Sequence, residues 1–207
     1  MVSAELAPVR ETLPQRKRLI VFAGPEGSGK STQGRILAKN LGLPFVSTGD
    51  MIRAKAAEEG ESELINECRE VVNNHIYLKE KYLNELVRER LSKEDIANGA
   101  VLDGALRTLG ETEVFDQTLE KAGRGDLEVD VVFLRAPIWL GAQRLLGRGR
   151  DDDTPEGIQK RLTEFYKDLG KRMRIAKDRY NFYQVNSMGE VGDVSGKIMS
   201  VLNGNHE

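Results

Sequence analysis

Residues 21 to 33 read VFAGPEGSGKSTQ. Within this stretch a glycine is followed, after four residues, by Gly29, Lys30 and Ser31, which is the spacing of a phosphate-binding loop. Glycines let the backbone curl so that several N–H groups point at phosphate oxygens. The motif predicts that Lys30 reaches the outer phosphates, and that a hydroxyl of Ser31 or Thr32 lies near Mg²⁺ and phosphate.

The sequence on either side of this loop supports the assignment. Residues 19–23 are an apolar run typical of a buried parallel strand. Residues 33–41 have apolar side chains at helical spacing and are followed by Gly42, which is typical of a helix end. A strand, a glycine loop and a helix are the required setting, because the helix N-terminus adds a partial positive charge. The alternative, a glycine-rich turn between core elements, does not need this context.

The composition is that of an ordinary globular chain. Its 207 residues are 39% hydrophobic and 31% charged, with a net charge of −2, so nothing global indicates a nucleic-acid-binding protein. A single cysteine, Cys68, excludes an internal disulfide and a cysteine-rich zinc site, and its helical spacing predicts a core position. No long apolar run and no signal peptide is visible, so we expect no membrane partner and a cytoplasmic location. We expect residues 1–17 to be a flexible leader.

Apolar runs and helical patterns alternate along the rest of the chain. This alternation predicts an α/β fold: a five-stranded parallel sheet covered by helices on both faces. The strands are expected at residues 19–23, 44–46, 100–103, 129–134 and 182–185. The helical stretch after the second strand is too long for a simple crossover, which predicts an inserted helical subdomain with a break at 58–61 and an N-cap at Ser62. After Thr154, one long helix is expected, with an apolar stripe from Ile158 to Tyr180.

Three further motifs accompany the phosphate loop. They are STGDMIR at 47–53, LDGALRT at 102–108, and RLLGRGRDDDTPE at 144–156 followed by Arg161. Together the four motifs resemble the adenylate kinase family of nucleoside monophosphate kinases, over nearly everything from Leu19 to Leu202. The resemblance implies a P-loop kinase fold with a helical monophosphate-binding insertion and a short lid.

The resemblance also implies a division of the chain. The kinase domain would span 18–207, with a core at 18–48, 79–143 and 155–207, an insertion at about 49–78 and a lid at about 144–154. The lid is short, because only Gly149 separates Arg148 from Arg150. Long-lid relatives insert a small subdomain at this place, sometimes with a cysteine zinc site. We therefore expect no structural zinc.

Arginines stand at the motif positions. Phosphoryl transfer between nucleotides gathers several negative phosphates, so catalysis is mostly positioning and neutralisation of charge. The planar fork of arginine grips phosphate oxygens in two places. A single arginine is more often a solvated surface charge, but six at motif positions are harder to dismiss: Arg53, Arg107, Arg144, Arg148, Arg150 and Arg161.

The family implies a role for each matching position. The expected catalytic residues are Lys30, Arg107, Arg148, Arg150 and Arg161. The expected ATP-binding residues are Gly27, Ser28, Gly29, Lys30, Ser31, Thr32, Arg144 and Arg148, with Arg144 against the donor base. The expected monophosphate-binding residues are Thr48, Gly49, Arg53, Leu78, Gly104, Arg107, Glu111, Arg150 and Arg161.

Mg²⁺ is the implied cofactor. Ser31 and Asp103 are the expected metal residues, with Asp103 acting through water. The alternative for Asp103 is a helix or turn cap. Asp152 and Asp153 match acids of the family lid that pair with its arginines, so we expect them to orient the lid rather than to bind metal.

Three departures from the family pattern all touch the expected acceptor site. Ala105 and Leu106 stand where the family usually has Phe-Pro, which removes bulk and a fixed backbone angle just before Arg107. Residues 78–80 read Leu-Lys-Glu in place of Val-Pro-Asp, and Glu111 replaces the glutamine that reads adenine. Either Glu111 reads the base, which would relax acceptor choice and admit GMP, or it caps a helix and faces solvent.

The leading hypothesis is therefore transfer of a phosphoryl group from Mg-ATP to AMP. A second hypothesis keeps ATP and changes or relaxes the acceptor to GMP, CMP or UMP. A third is an inactive nucleotide-binding scaffold, against which the complete arginine set and Lys30 argue. The expected partners are small-molecule nucleotides, with no nucleic acid and no membrane, and we expect a monomer.

Overall fold

The structure, a computed structural model, describes residues 16–149 and 153–204. Its five strands form one sheet in the order β2-β3-β1-β4-β5, and every neighbouring pair is parallel. The strands are β1 (Arg18–Ala23), β2 (Phe45–Ser47), β3 (Gly99–Asp103), β4 (Glu128–Arg135) and β5 (Asn181–Asn186). The predicted five-stranded parallel sheet is confirmed, and the phosphate loop leaves its central strand at the carboxyl end.

Helices cover both faces of this sheet. Alternate residues of a strand point to opposite faces, so Leu19 and Val21 pack into one core cluster and Ile20 and Phe22 into another. Within the described residues the helices are α1 (Lys30–Leu41), α2 (Thr48–Ala56), α3 (Glu63–Asn74), α4 (Glu80–Leu91), α5 (Leu109–Lys121), α6 (Ile138–Arg148), α7 (Pro155–Tyr166), α8 (Leu169–Arg179) and α9 (Val191–Leu202). In residues 16–149 and 153–204, every helix is too short or too polar to cross a membrane.

Two helices, α2 and α3, stand between β2 and α4. The chain leaves helical geometry after Ala56 and re-enters it at Glu63, where the Ser62 hydroxyl accepts the N–H of Ile65 at 3.1 Å. This bond satisfies one of the donors that a helix start leaves open. Cys68 lies on the inner face of α3 and is fully buried. The predicted interruption, the Ser62 cap and the core position of Cys68 are confirmed.

The single long helix expected after Thr154 is wrong. The structure has two helices, α7 and α8, separated at Lys167 and Asp168, and Asp168 has a left-handed backbone with φ 53. Aspartate tolerates this conformation better than most residues, and the nearest glycine, Gly170, already lies inside α8. The apolar stripe continues through it, because both helices pack on the same core. The break turns α8 so that Arg172 is buried beside the loop after β3.

Candidate active site

The phosphate loop is curled by its glycines. Gly27 and Gly29 have φ of 75 and 94, values that side chains with a Cβ rarely adopt, and Gly29 is the residue before α1. The Ser28 N–H donates to the Pro25 carbonyl at 3.2 Å, which closes the turn. The loop therefore presents the N-terminus of α1 to the space above the sheet, where a partial positive charge favours phosphate.

Helix α6 packs directly on the backbone of this loop. A Cβ at Gly27 would lie 2.2 Å from the Gly141 carbonyl oxygen, and a Cβ at Gly141 would lie 2.7 Å from the Glu26 carbonyl oxygen. Only a pair of glycines permits this approach. The contact fixes where α6 presents Arg144 and Arg148.

Lys30 lies inside the loop. Its Nζ donates to the carbonyls of Gly24 and Pro25, both at 2.8 Å. Burial lowers the pKa of Lys30, while the carboxylates of Glu26 and Asp103 act in the opposite direction. The ammonium group is thus held by the loop itself, at the place where the motif predicts the outer phosphates.

Ser31 and Asp103 meet at the end of β3. The Ser31 hydroxyl donates to Asp103 Oδ2 at 2.5 Å, and Asp103 is 4% exposed. The other carboxylate oxygen, Oδ1, is buried and has no hydrogen-bond partner among the described residues. The contacts therefore tie the side chain to the phosphate loop and give it no capping role. An orphaned buried carboxylate oxygen beside a hydroxyl fits a hydrated Mg²⁺.

Two of the expected catalytic arginines, Arg148 and Arg161, rest on one acid. Arg148 donates to both oxygens of Asp153, at 2.7 and 2.8 Å, and Arg161 donates to Oδ1 at 3.0 Å. Asp153 is 7% exposed, so these are close, shielded ion pairs. The predicted pairing of Asp153 with arginines is confirmed. Arg150 and Asp152 lie outside the described residues, so their predicted roles are not addressed by these contacts.

Arg144 rests on backbone carbonyls. Its guanidinium donates to Gly27 O at 3.3 Å and to Ser187 O at 3.2 Å. It therefore joins the phosphate loop to the segment after β5. Arg144 itself lines the opening above the loop.

The expected acceptor cations lie across the same opening. Arg53 pairs with Asp50 at 2.6 Å, and the Arg107 guanidinium lies 5.5 Å from the centre of the Tyr77 ring. Arg107 passes so close to Gly104 that a Cβ there would lie 2.2 Å from Nη2. Thr48 donates to Gly104 O at 3.0 Å. Gly104 thus gives Arg107 its path toward the loop.

Two adjoining cavities collect nearly all the predicted residues that the structure describes. The larger one, of ≈ 540 Å³, lies above the phosphate loop, and its wall includes Gly27, Gly29, Lys30, Ser31, Thr32, Gly49, Arg53, Asp103, Arg107, Arg144, Arg148 and Arg161. The smaller one is lined among others by Thr48, Gly49, Arg53, Leu78, Arg107, Glu111 and Arg161. Ser28 and Gly104 line neither cavity. Ser28 closes the turn of the phosphate loop, and Gly104 leaves room for the Arg107 side chain.

The turn before Arg107 differs from what a proline would allow. Leu106 is buried and has φ 58, which a proline ring excludes. The N–H of Arg107 donates to Glu111 Oε2 at 2.9 Å, and Arg172 Nη1 donates to the Leu106 carbonyl at 2.7 Å. The Ala105-Leu106 departure is therefore matched by two side chains that hold the altered turn.

Glu111 is buried, so the interpretation that it faces solvent is wrong. It is 3% exposed and lines the smaller cavity, where its Oε1 has no hydrogen-bond partner among the described residues. Burial raises the pKa of Glu111 to about 7, although the Arg107 N–H and the charges of Arg107 and Arg172 oppose the rise. The helix is capped by Thr108, whose hydroxyl accepts the Glu111 N–H at 3.2 Å. The capping interpretation holds only in part, because the Glu111 carboxylate accepts the N–H of Arg107, just before that cap.

Three residues of this region were missed from the sequence: Glu26, Tyr77 and Arg172. An acid inside a phosphate-binding loop was a visible signal for Glu26. Tyr77 and Arg172 carried no local signal, because their contacts with Glu26 and Leu106 span 51 and 66 residues of chain. Long-range contacts of this kind depend on the fold and not on any motif.

The comparisons with known proteins agree with this geometry. The family model described as adenylate kinase matches residues 22–176. An adenylate kinase of Kocuria rhizophila is 35% identical over 187 residues, covering 88% of this chain and 97% of the relative. An adenylate kinase of Bifidobacterium longum is 34% identical over 190 residues, covering 89% and 99%. Adenylate kinase 1 of a Nostoc species is 32% identical over 183 residues, covering 88% and 97%.

Proposed function

This chain belongs to the adenylate kinase family, and on that premise we propose that it transfers the terminal phosphoryl group of ATP to AMP, which gives two ADP. Eight relatives at 31–35% identity are each named as an adenylate kinase. The alternatives of another acceptor or of an inactive scaffold have no comparable support.

One observation carries the proposal. Lysine and arginine side chains from five separate segments line a single cavity above the phosphate loop: Lys30, Arg53, Arg107, Arg144, Arg148 and Arg161. So many like charges around one space are costly unless anions occupy it. Two nucleotides whose phosphates meet end to end supply that charge. A site for one nucleotide alone would not need cations on both sides of the opening.

The donor half would act through charge. Lys30 would move from the loop carbonyls to the outer phosphates of ATP, and its effect would grow as negative charge shifts during transfer. Arg148 and Arg161 would exchange Asp153 for phosphate oxygens, to which an arginine fork binds in two places. Asp153 would keep both guanidinium groups near the site before substrate arrives.

The metal proposal rests on Ser31 and Asp103. Their side chains would hold Mg²⁺, Ser31 directly and Asp103 through water. Mg²⁺ held there would supply positive charge that neutralises part of the charge of the phosphates. The rest of the neutralisation is done by the cations of this chain.

The acceptor half would place AMP across the opening from ATP. Arg53 and Arg107 would bind its phosphate, and Thr48, Leu78 and Glu111 would face the ribose and base. We propose that the insertion at about 49–78 and the lid at about 144–154 close over the two substrates. Closure would exclude water, which otherwise accepts the phosphoryl group and wastes ATP. The monomeric state and the cytoplasmic location expected from the sequence stay predictions.

A coupled assay tests this function. ADP formation from Mg-ATP is measured with AMP, GMP, CMP or UMP as acceptor, and with no acceptor as the control for hydrolysis. We expect AMP to give the highest kcat/KM. If another monophosphate gave the highest value, the acceptor would be different. If nucleotides bound but no acceptor raised ADP formation above the control, the chain would be a scaffold.

A further inference from the structure

A partly buried contact joins the phosphate loop to the loop that follows α3. The Tyr77 hydroxyl donates to Glu26 Oε1 at 2.9 Å, and it also lies 3.3 Å from the Arg161 carbonyl oxygen. Glu26 lies in the middle of the glycine loop, and Tyr77 belongs to the segment that lines the expected acceptor pocket. The contact thus connects the two halves of the site where they meet.

The Glu26 carboxylate stands among the cations of the larger cavity. Its Oε2 is shielded from solvent and has no hydrogen-bond partner among the described residues. Burial alone would raise the pKa of Glu26, but the charges of Lys30, Arg107 and Arg161 and the bond from Tyr77 lower it below its usual value. Glu26 is therefore ionised, and it faces the groups that would bind phosphate.

The hydrogen bond from Tyr77 orients this carboxylate. Burial and the neighbouring Glu26 raise the pKa of Tyr77 well above its usual value, so its hydroxyl stays a donor. The Tyr77 ring lies beneath the Arg107 guanidinium, at 5.5 Å. The tyrosine therefore contacts the anion and one of the cations at the same time, and it fixes them relative to each other.

An ionised carboxylate and a nucleotide phosphate cannot both occupy a place among the same cations at low cost. Like charges a few ångströms apart repel strongly in a shielded site. In the empty cavity Asp153 already pairs with Arg148 and Arg161. Lys30 and Arg107, however, lie close enough for their positive charges to repel each other. A carboxylate that belongs to the loop itself removes that repulsion as long as no substrate is present.

We propose that the Glu26 carboxylate is an internal counter-anion for the cations of the larger cavity. It neutralises part of their charge while the cavity is empty, and entering phosphates displace it. The inference rests on the proposed function only in taking nucleotide phosphates as the natural anions. Displacement opens the bond to Tyr77, so filling the phosphate cavity also releases the loop beside the acceptor pocket. In this arrangement Glu26 is a positioning residue and contributes no step of the transfer.

Binding of inorganic pyrophosphate to the nucleotide-free, full-length protein tests the inference. Glu26→Gln keeps the shape of the side chain and an oxygen for Tyr77, and removes only the charge. We expect it to bind pyrophosphate roughly tenfold tighter than the wild type in calorimetry. A tenfold change in affinity is the same interaction free energy as a shift of about one pKa unit, which is typical of one neighbouring charge. Glu164→Gln, at an exposed site on α7, makes the same change in net charge and should leave the affinity unchanged.

Unchanged or weaker pyrophosphate binding by Glu26→Gln would overturn the inference. Tyr77→Phe should tighten binding in the wild-type background and have no effect in the Glu26→Gln background, because it acts through the carboxylate. An effect of equal size in both backgrounds would contradict the role of Tyr77 in orienting the carboxylate.

A structure of the wild-type protein with pyrophosphate tests the displacement directly, whatever the stability of the variants. The Glu26 carboxylate should have left the Tyr77 hydroxyl, and an unmoved carboxylate would overturn the inference. The proposed function is judged separately, because pyrophosphate binding needs no transfer. A chain that transfers to AMP without the tighter binding of Glu26→Gln would keep its function and lose the counter-anion.

Discussion

The donor and acceptor halves of the candidate site are built in different ways. In the donor half, Lys30 and Ser31 belong to one continuous motif, and their positions follow from the local backbone of a glycine loop and a helix start. In the acceptor half, the place of Arg107 depends on Glu111 and Arg172, which come from α5 and α8. A continuous motif retains its geometry when the rest of the chain changes. An assembled site retains it only if its parts change together.

The largest effect is expected in the donor half. Lys30→Ala removes the one ammonium group inside the phosphate loop, whose effect should grow with the charge of the transition state. We expect ADP formation to fall at least roughly a thousandfold, with the fold retained in circular dichroism. Lys39→Ala, on the exposed side of the same helix, is the control. Near wild-type turnover of Lys30→Ala would show that the loop does not serve transfer.

The lid arginines should separate chemistry from binding. Arg148→Ala leaves the phosphate loop intact but removes a cation that Asp153 holds near the site. We expect kcat to fall on the order of a hundredfold while ATP affinity in calorimetry changes far less. The same split is expected for Arg150→Ala, and Arg174→Ala on α8 is the exposed control. Loss of ATP binding with unchanged kcat would argue against the lid role.

The pH dependence of stability tests the buried acid of the acceptor half. The folded-state pKa of Glu111 is about 7, raised from 4.5 by burial. The folded chain therefore binds this proton more tightly than the unfolded chain does. Its contribution is fully present below pH 4.5 and is lost as pH rises through 7. The wild type should therefore lose about 2 kcal/mol relative to Glu111→Gln between pH 5 and pH 8. Urea unfolding of both proteins measures this, because all other titrating groups cancel. A constant difference would mean that Glu111 is ionised throughout.

The smallest expected effect concerns acceptor choice. Above pH 7 an ionised Glu111 only accepts hydrogen bonds, whereas glutamine also donates one, as adenine N1 requires. At pH 8, Glu111→Gln should raise the preference for AMP over GMP by roughly tenfold. At pH 6 the gain should shrink, because a protonated carboxyl also donates. The ratio of kcat/KM for the two acceptors measures it, and a ratio unchanged by the substitution would mean that Glu111 does not read the base.

The difference between a continuous motif and an assembled site also explains which features could be predicted from the sequence and which could not. The sheet, the phosphate loop and the Ser62 cap follow from contiguous patterns, and the structure has them where they were expected. The break at Asp168 was missed because the apolar stripe runs through it. The place of Glu111 stayed open between the acceptor site and solvent, because an acid in a first helical turn is commonly an exposed residue that interacts with the helix dipole. Its partner Arg107 is local, but the helix that carries Glu111 packs against α4 and α8, and α8 is distant in the sequence.

The contact between Gly27 and Gly141 has a consequence for anyone who wishes to stabilise this chain. A glycine within a helix usually invites replacement by alanine, with an expected gain of about 1 kcal/mol. At Gly141 the new methyl group would press on the Glu26 carbonyl, 2.7 Å away, and α6 would have to shift outward with Arg144 and Arg148. Alanine at this position would therefore lower heat resistance as well as turnover, because the clash with a backbone carbonyl costs more than the gain in helix propensity.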